Sequence, residues 1–173
     1  MKAIIVYQSA YGHVYQMAEK TKTGLEEEGV EVTLSKAGET NPDDLLDKDI
    51  VVFGSPVRMG SIGGEMKTFI DKTGQLWMNS ALTNKVAGVL TSGAGFNVGL
   101  EMTQIALYST LMELGMVLVG YLNNMPGYGK GANQWSPFAQ VGLEGKDGPN
   151  PECLEACYNY GKRLAWVGKK FAS

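Results

Sequence analysis

Histidine occurs once in the 173 residues, as His13, and cysteine twice, as Cys153 and Cys157. A single imidazole excludes paired-histidine zinc motifs and His-rich metal sites, and any Ser-His-Asp triad would have to be built around His13. Charge of one sign is scarce too. Fifteen Lys plus Arg stand against 18 Asp plus Glu, a formal net charge of −3 with no long basic cluster. The dense positive face that nucleic acid demands is missing. No segment approaches the roughly 18 uninterrupted apolar residues of a membrane span. The apolar run at residues 3–7 stops at Gln8, too short for the core of a secretory signal, so the expected address is the cytoplasm, without membrane insertion. The dinucleotide fingerprint G-x-G-x-x-G after a first strand and the Walker A sequence are both absent, which sets aside NAD-type Rossmann and P-loop readings.

What is present describes one globular domain over residues 1–173, 44% apolar and 19% charged. Ile- and Val-rich runs at residues 3–7, 50–53 and 86–90 read as buried strands, with further strands at 30–34 and 116–119. Between them lie helical spacings: Val14, Met17, Ala18, Thr21 and Leu25 closed by Gly29; a brief helix at 42–47; Ile62, Met66, Phe69 and Ile70; and a helix over 100–114 closed by Gly115. A final helix spans about 151–171, its apolar stripe running from Cys153 and Cys157 through Tyr160, Leu164, Val167 and Phe171. The two cysteines therefore read as core thiols in a reducing compartment, since a four-residue helical spacing suits a disulfide poorly. Five strands alternating with helices predict a doubly wound α/β domain with a parallel sheet, and ligands of such sheets bind beyond the carboxyl ends of the strands.

Three loops fall at that edge. Ser9, Ala10, Tyr11, Gly12, His13 and Val14 stand where a helix begins, so free N–H groups and the positive end of the helix dipole could hold a phosphate, or Ser9 could simply cap the helix. The second loop carries Gly54, Ser55, Pro56, Val57, Arg58, Met59 and Gly60, a turn that offers backbone hydrogen bonds to a flat ring, with Met59 and Trp77 as apolar faces. Arg58 could equally be a surface ion-pair partner. The third loop, Thr91, Ser92, Gly93, Ala94, Gly95, Phe96 and Asn97, is small and polar. Taken jointly the loops suggest a mononucleotide, its phosphate on the first and its ring between the second and third. The stretch 121–149 interrupts the alternation with many glycines and with Tyr128, Trp135 and Phe138. Its aromatics predict a packed lid or an oligomer contact.

The segments at residues 7–13, 53–60 and 66–74 leading into Leu76 and Trp77 resemble the flavodoxin-like NAD(P)H:quinone oxidoreductases of the WrbA type, over nearly the whole chain. The resemblance implies a flavodoxin-like fold with strand order 2-1-3-4-5 and FMN as cofactor. It implies NADH or NADPH as co-substrate, a quinone or other small electron acceptor, and a dimer or tetramer with active sites at subunit contacts. By the same resemblance the first loop, Ser9 through Val14, holds the phosphate; Pro56, Val57, Arg58 and Met59 meet the flavin ring; and Thr91, Ser92, Gly93, Ala94, Gly95 and Asn97 form the third flavin loop. Trp77 and Tyr11 are implied to face substrate, and Glu113 stands where the family has an active-site histidine. The chain departs from the family there, in Phe96 and Asn97 interrupting a glycine run, and in a short segment between Leu34 and Ile50. Two other readings remain open: an electron-carrying flavodoxin, for which a net charge of −3 supplies little electrostatic steering, and a receiver-type signalling domain, whose acidic positions Gln8, Ser9, Gly54 and Ser55 occupy.

Overall fold

The structure is a computed structural model and describes residues 1–95 and 98–171. Strand β1 (Lys2–Tyr7) leads to helix α1 (His13–Glu27), β2 (Glu31–Lys36), a 3-10 turn (Pro42–Leu45) and β3 (Ile50–Arg58). A two-residue β4 (Ser61–Ile62) folds back on β3 before α2 (Gly64–Asp71) and α3 (Gly74–Met78). Then follow β5 (Val86–Gly93), α4 (Leu100–Glu113), β6 (Val117–Leu118), β7 (Phe138–Gln140) and α5 (Pro151–Phe171). The central order is β2-β1-β3-β5-β6, with every one of these pairings parallel. This is the predicted 2-1-3-4-5 arrangement. Among the described residues no helix is long and apolar enough to cross a membrane.

Alternate strand residues feed two separate cores, as a sheet covered on both faces requires. Ala3, Ile5, Val52 and Leu90 pack under α1 and α5, whereas Ile4, Val6, Val51, Phe53 and Val89 pack under α2, α3 and α4. Both cysteines are free and buried in the first core, where burial pushes the Cys157 thiol well above its ordinary range.

Three elements differ from the sequence expectation. Residues 42–47 make only the short 3-10 turn, because Asn41 and Asp44 close a reciprocal capping box around a Pro42 start. Ile62 belongs to β4 rather than to the following helix: the Gly63 N–H donates to Ser55 Oγ at 2.9 Å and delays the helix to Gly64. The fifth strand is split. Its lower half, β6, pairs with Val86 and Ala87, and its upper half, β7, pairs with Thr91, Ser92 and Gly93. Between them the chain leaves the sheet because the Val119 carbonyl accepts from the Tyr160 and Tyr108 hydroxyls, at 2.5 and 2.7 Å. Burial raises the pKa of both phenols, so they stay protonated donors throughout the neutral range.

The intervening segment is pinned to the body. Tyr108 Oη lies 2.7 Å from the Trp135 carbonyl, Gln104 Nε2 donates to Ser136 Oγ at 2.8 Å, and Asn133 Nδ2 donates to Gln104 Oε1 at 2.8 Å. Of the aromatics in this stretch, Trp135 packs against the second core beside Tyr108, as expected of a packed segment, whereas Tyr128 is exposed.

Helices α1 and α5 approach backbone to backbone. A Cβ on Gly24 would sit 2.0 Å from the Tyr158 carbonyl oxygen, and one on Gly161 would sit 2.2 Å from that of Thr21. Gly161→Val should therefore force the helices apart and cost about 2 to 3 kcal/mol of stability, by analogy with overpacked cores. A urea titration comparing the unfolding midpoints tests this, and an unchanged midpoint contradicts it.

Candidate functional site

Helix α1 begins at the carboxyl edge of the sheet, directly after β1. Its N-cap is Gly12 at φ +85°, a left-handed conformation that β-branched residues avoid, and no N-cap side chain hydrogen-bonds its first turn. The Ser9 hydroxyl accepts the Tyr15 N–H at 3.3 Å, a capping contact to the third residue of the helix that bears out the capping reading of Ser9. The helix sits close above β3, where a Cβ on Gly54 would approach the Val14 side chain to 2.8 Å. Small residues thus let the helix terminus come down onto the strand ends with N–H groups and dipole facing outward.

A cleft opens there, with about 610 Å³ of space including its mouth. From the first loop it is lined by Ser9, Ala10, Tyr11, His13 and Val14; from the second by Pro56, Val57 and Arg58; from the third by Ser92, Gly93 and Ala94. The second loop is fixed from below. Gln8 Oε1 accepts the Met66 N–H at 3.1 Å, and Ser55 holds Gly63 as described. Among the described residues Arg58 has no ion-pair partner; its guanidinium lies 5.7 Å from the centre of the Tyr11 ring, joining the first two loops at the cleft mouth.

The remaining predicted residues fall elsewhere. Thr91 is fully buried within β5, its hydroxyl without a partner among the described residues, so it supports the third loop from inside the sheet instead of lining the cleft. Met59, at φ +49°, stands fully exposed at the tip of the second loop. Gly12 and Gly95 shape their loops without lining the cleft. Asn97, with Phe96, lies outside the described residues. Two predicted residues lie farther from the cleft. Glu113 is exposed in the last turn of α4, and a helix of 14 residues carries it about 20 Å down the sheet from the third loop. Trp77, 50% exposed on α3, lies past the foot of α2 near the start of β5. Neither reaches the cleft of its own chain, because both helices run away from the carboxyl edge.

The structure adds a wall that motif reasoning did not assign. Val141, Gly142, Leu143, Glu144 and Gly145 close the cleft on the side of the first loop. His13 Nε2 meets the Gly145 carbonyl at 2.8 Å. The sequence signal was the spacing of Gly142, Gly145 and Gly148, all with positive φ.

The residues present fit FMN. The helix terminus that follows Gly12 offers backbone donors for a phosphate, the buried Nδ1 of His13 has no partner among the described residues, and Val57, Tyr11 and Leu143 give the cleft apolar surfaces. Among the described residues no group of His, Cys, Asp or Glu could hold a metal ion. Gly12→Val, which forces a β-branched residue into the left-handed region, should weaken FMN binding about ten- to hundredfold. Quenching of flavin fluorescence on titration measures this, and unchanged affinity removes the loop from the site.

The comparisons with known proteins agree with this geometry. Residues 4–94 match the model of the flavodoxin domain. The chain is 32% identical, over 202 residues covering 99% of it and 100% of the relative, to an NAD(P)H dehydrogenase (quinone) of Geotalea uraniireducens (strain Rf4). Among solved structures it is similar to a WrbA-like flavodoxin from Agrobacterium tumefaciens, with a TM-score of 0.77, 27% identity and 98% of each chain covered. Flavodoxin 2 from Bacillus cereus superposes with a TM-score of 0.73 at 24% identity, covering 96% of this chain and 99% of its own, and shares the fold. The matched domain model contains the first two loops and most of the described third, and the full-length relative extends the likeness to α5, so the chain belongs to the flavodoxin family, with FMN as its cofactor.

Proposed function

We propose that this protein is a cytoplasmic NAD(P)H:quinone oxidoreductase that accepts two electrons from a reduced nicotinamide and delivers them to a quinone or similar acceptor. The observation that carries the reading is a cleft walled on the side of the first loop and open between Tyr11, Arg58 and the third loop, in a chain related end to end to an NAD(P)H dehydrogenase (quinone). When bound, FMN supplies the redox chemistry. The chain's residues bind and orient. The N-terminus of α1 receives the phosphate, and the backbone of residues 56–58 and 92–94 offers hydrogen bonds to the ring edge. Arg58, stacked on Tyr11, holds one cation and one aromatic face at the mouth, where a nicotinamide and then an acceptor can lie in turn. No side chain need act as acid or base.

We further propose a homo-oligomer, a dimer or tetramer, formed through the outer face of α3 and α4. Met102, Ile105 and Met112 stand exposed on α4, and Trp77 and Met78 on α3. The Asn84 N–H donates to the Gly115 carbonyl at 2.9 Å, which holds the turn after α3 against the foot of α4. Clustered apolar side chains of this size on one face mark an interaction site. Trp77 and Glu113 can face substrate only by meeting the cleft of a second copy, and that is the role this assembly gives them.

Anaerobic addition of NADH and then NADPH to the FMN-loaded protein should bleach the oxidised flavin band, and a quinone should restore it. Bound FMN that neither nicotinamide bleaches would instead indicate an electron carrier. Ile105→Glu should convert the oligomer to monomer in sedimentation velocity, and an unaltered mass sinks the α3–α4 interface.

A further inference from the structure

We propose that residues 141–148 form a strap that shuts the phosphate end of the cleft, with the His13–Gly145 hydrogen bond as its latch. The strap would restrict the site to a flavin ending at its first phosphate and slow that flavin's release. The proposal rests on the FMN reading above and assigns His13 as a positioning residue for the cofactor.

The strap leaves the sheet at Val141, whose N–H donates to the Gly93 carbonyl at 3.0 Å and whose side chain is buried in the core under α1. It returns on itself through Gly145 N–H to the Gly142 carbonyl at 3.1 Å and Asp147 N–H to the Val141 carbonyl at 3.3 Å. Its exit is fixed where Asn150 Oδ1 accepts the Cys153 N–H at 2.8 Å at the start of α5. Between these anchors the tip reaches the first loop through His13. A carbonyl can only accept, so Nε2 carries a proton and donates to it. Nδ1 is buried with no partner among the described residues, so the polar contact of this ring is the latch.

The strap lies beside the first loop, at the end of the cleft where the α1 terminus would hold a phosphate. A dinucleotide continues through a second phosphate at the end of the molecule held by α1. There it would meet Leu143, Gly145 and the Glu144 carboxylate, which is paired with Lys146. Left-handed glycines at 142 and 145 make the close turn possible: a Cβ on Gly142 would lie 2.2 Å from an Asp147 carboxylate oxygen.

His13→Phe keeps the ring and removes the donor. FMN dissociation, followed by the return of free-flavin fluorescence after dilution, should become about two- to tenfold faster, as befits one neutral hydrogen bond. His13→Gln, which can again donate to the carbonyl, should bring the rate back toward the original. Shortening the strap by replacing residues 143–147 with Gly-Ser should improve FAD affinity relative to FMN by about tenfold or more. In the unaltered chain, amide hydrogen exchange at residues 143–146 should slow when FMN is added, a readout that holds even where a variant folds poorly. Unchanged dissociation in His13→Phe, or strap exchange indifferent to FMN, overturns the proposal while leaving FMN binding intact. Failure of the unaltered chain to take up FMN overturns the flavin reading itself.

Discussion

The position of α1 governs the rest of the molecule. The helix is clamped on two sides by contacts that admit no Cβ: against α5 through Gly24 and Gly161, and toward β3 through Gly54. Because the contacts to α5 are backbone approaches and the one to β3 meets the stiff Val14 side chain, the helix has little freedom to slide along its axis, and its N-terminus stays at a defined height above the strand ends. Everything at the carboxyl edge is built around that height. The first loop is the short path from β1 to it, the second loop is held from below by Gln8 and Ser55, and the strap reaches it from the far side of the sheet.

The functional edge is thus divided by rigidity. The floor of the cleft consists of strand ends in parallel register from β1 to β5, and its lower walls are loops pinned by buried bonds. Its mouth is different. Tyr11, Met59 and Leu143 stand exposed there, joined to the floor by loop backbone. Such a division suits a protein that must keep one ligand and exchange others, because local opening at the rim costs less than opening of the sheet.

The architecture was largely legible in the sequence, since Ile- and Val-rich runs and helical periodicities each report a local burial pattern that the tertiary structure only has to assemble. The two cores even follow residue parity along β1 and β3. The first loop's place at the cleft was legible from its position between a strand and a helix, but Ser9 and Gly12 by themselves read equally well as an ordinary helix start. Less could be read where long-range contacts decide. Nothing in the local sequence says that the Val119 carbonyl is claimed by two tyrosines 11 and 41 residues away, which ends β6 early. Trp77 and Glu113 were placed by resemblance to a substrate site, and a resemblance of positions does not say which copy of the chain supplies them. The strap was visible as a glycine spacing, but its contact with His13, 132 residues away in sequence, was not.

The split fifth strand has a bearing on solubility. A sheet is vulnerable at its borders, where a long unpaired ladder can capture another chain. Here one border is made of pieces two and three residues long, separated by a packed insertion, so no continuous run of free N–H and C=O groups is offered. The opposite border, β2, carries Glu31, Thr33, Ser35 and Lys36, charged and polar groups that a docking strand would have to desolvate. The insertion that makes the molecule irregular therefore also guards it against edge-to-edge association, leaving helix faces as the surfaces through which copies can meet.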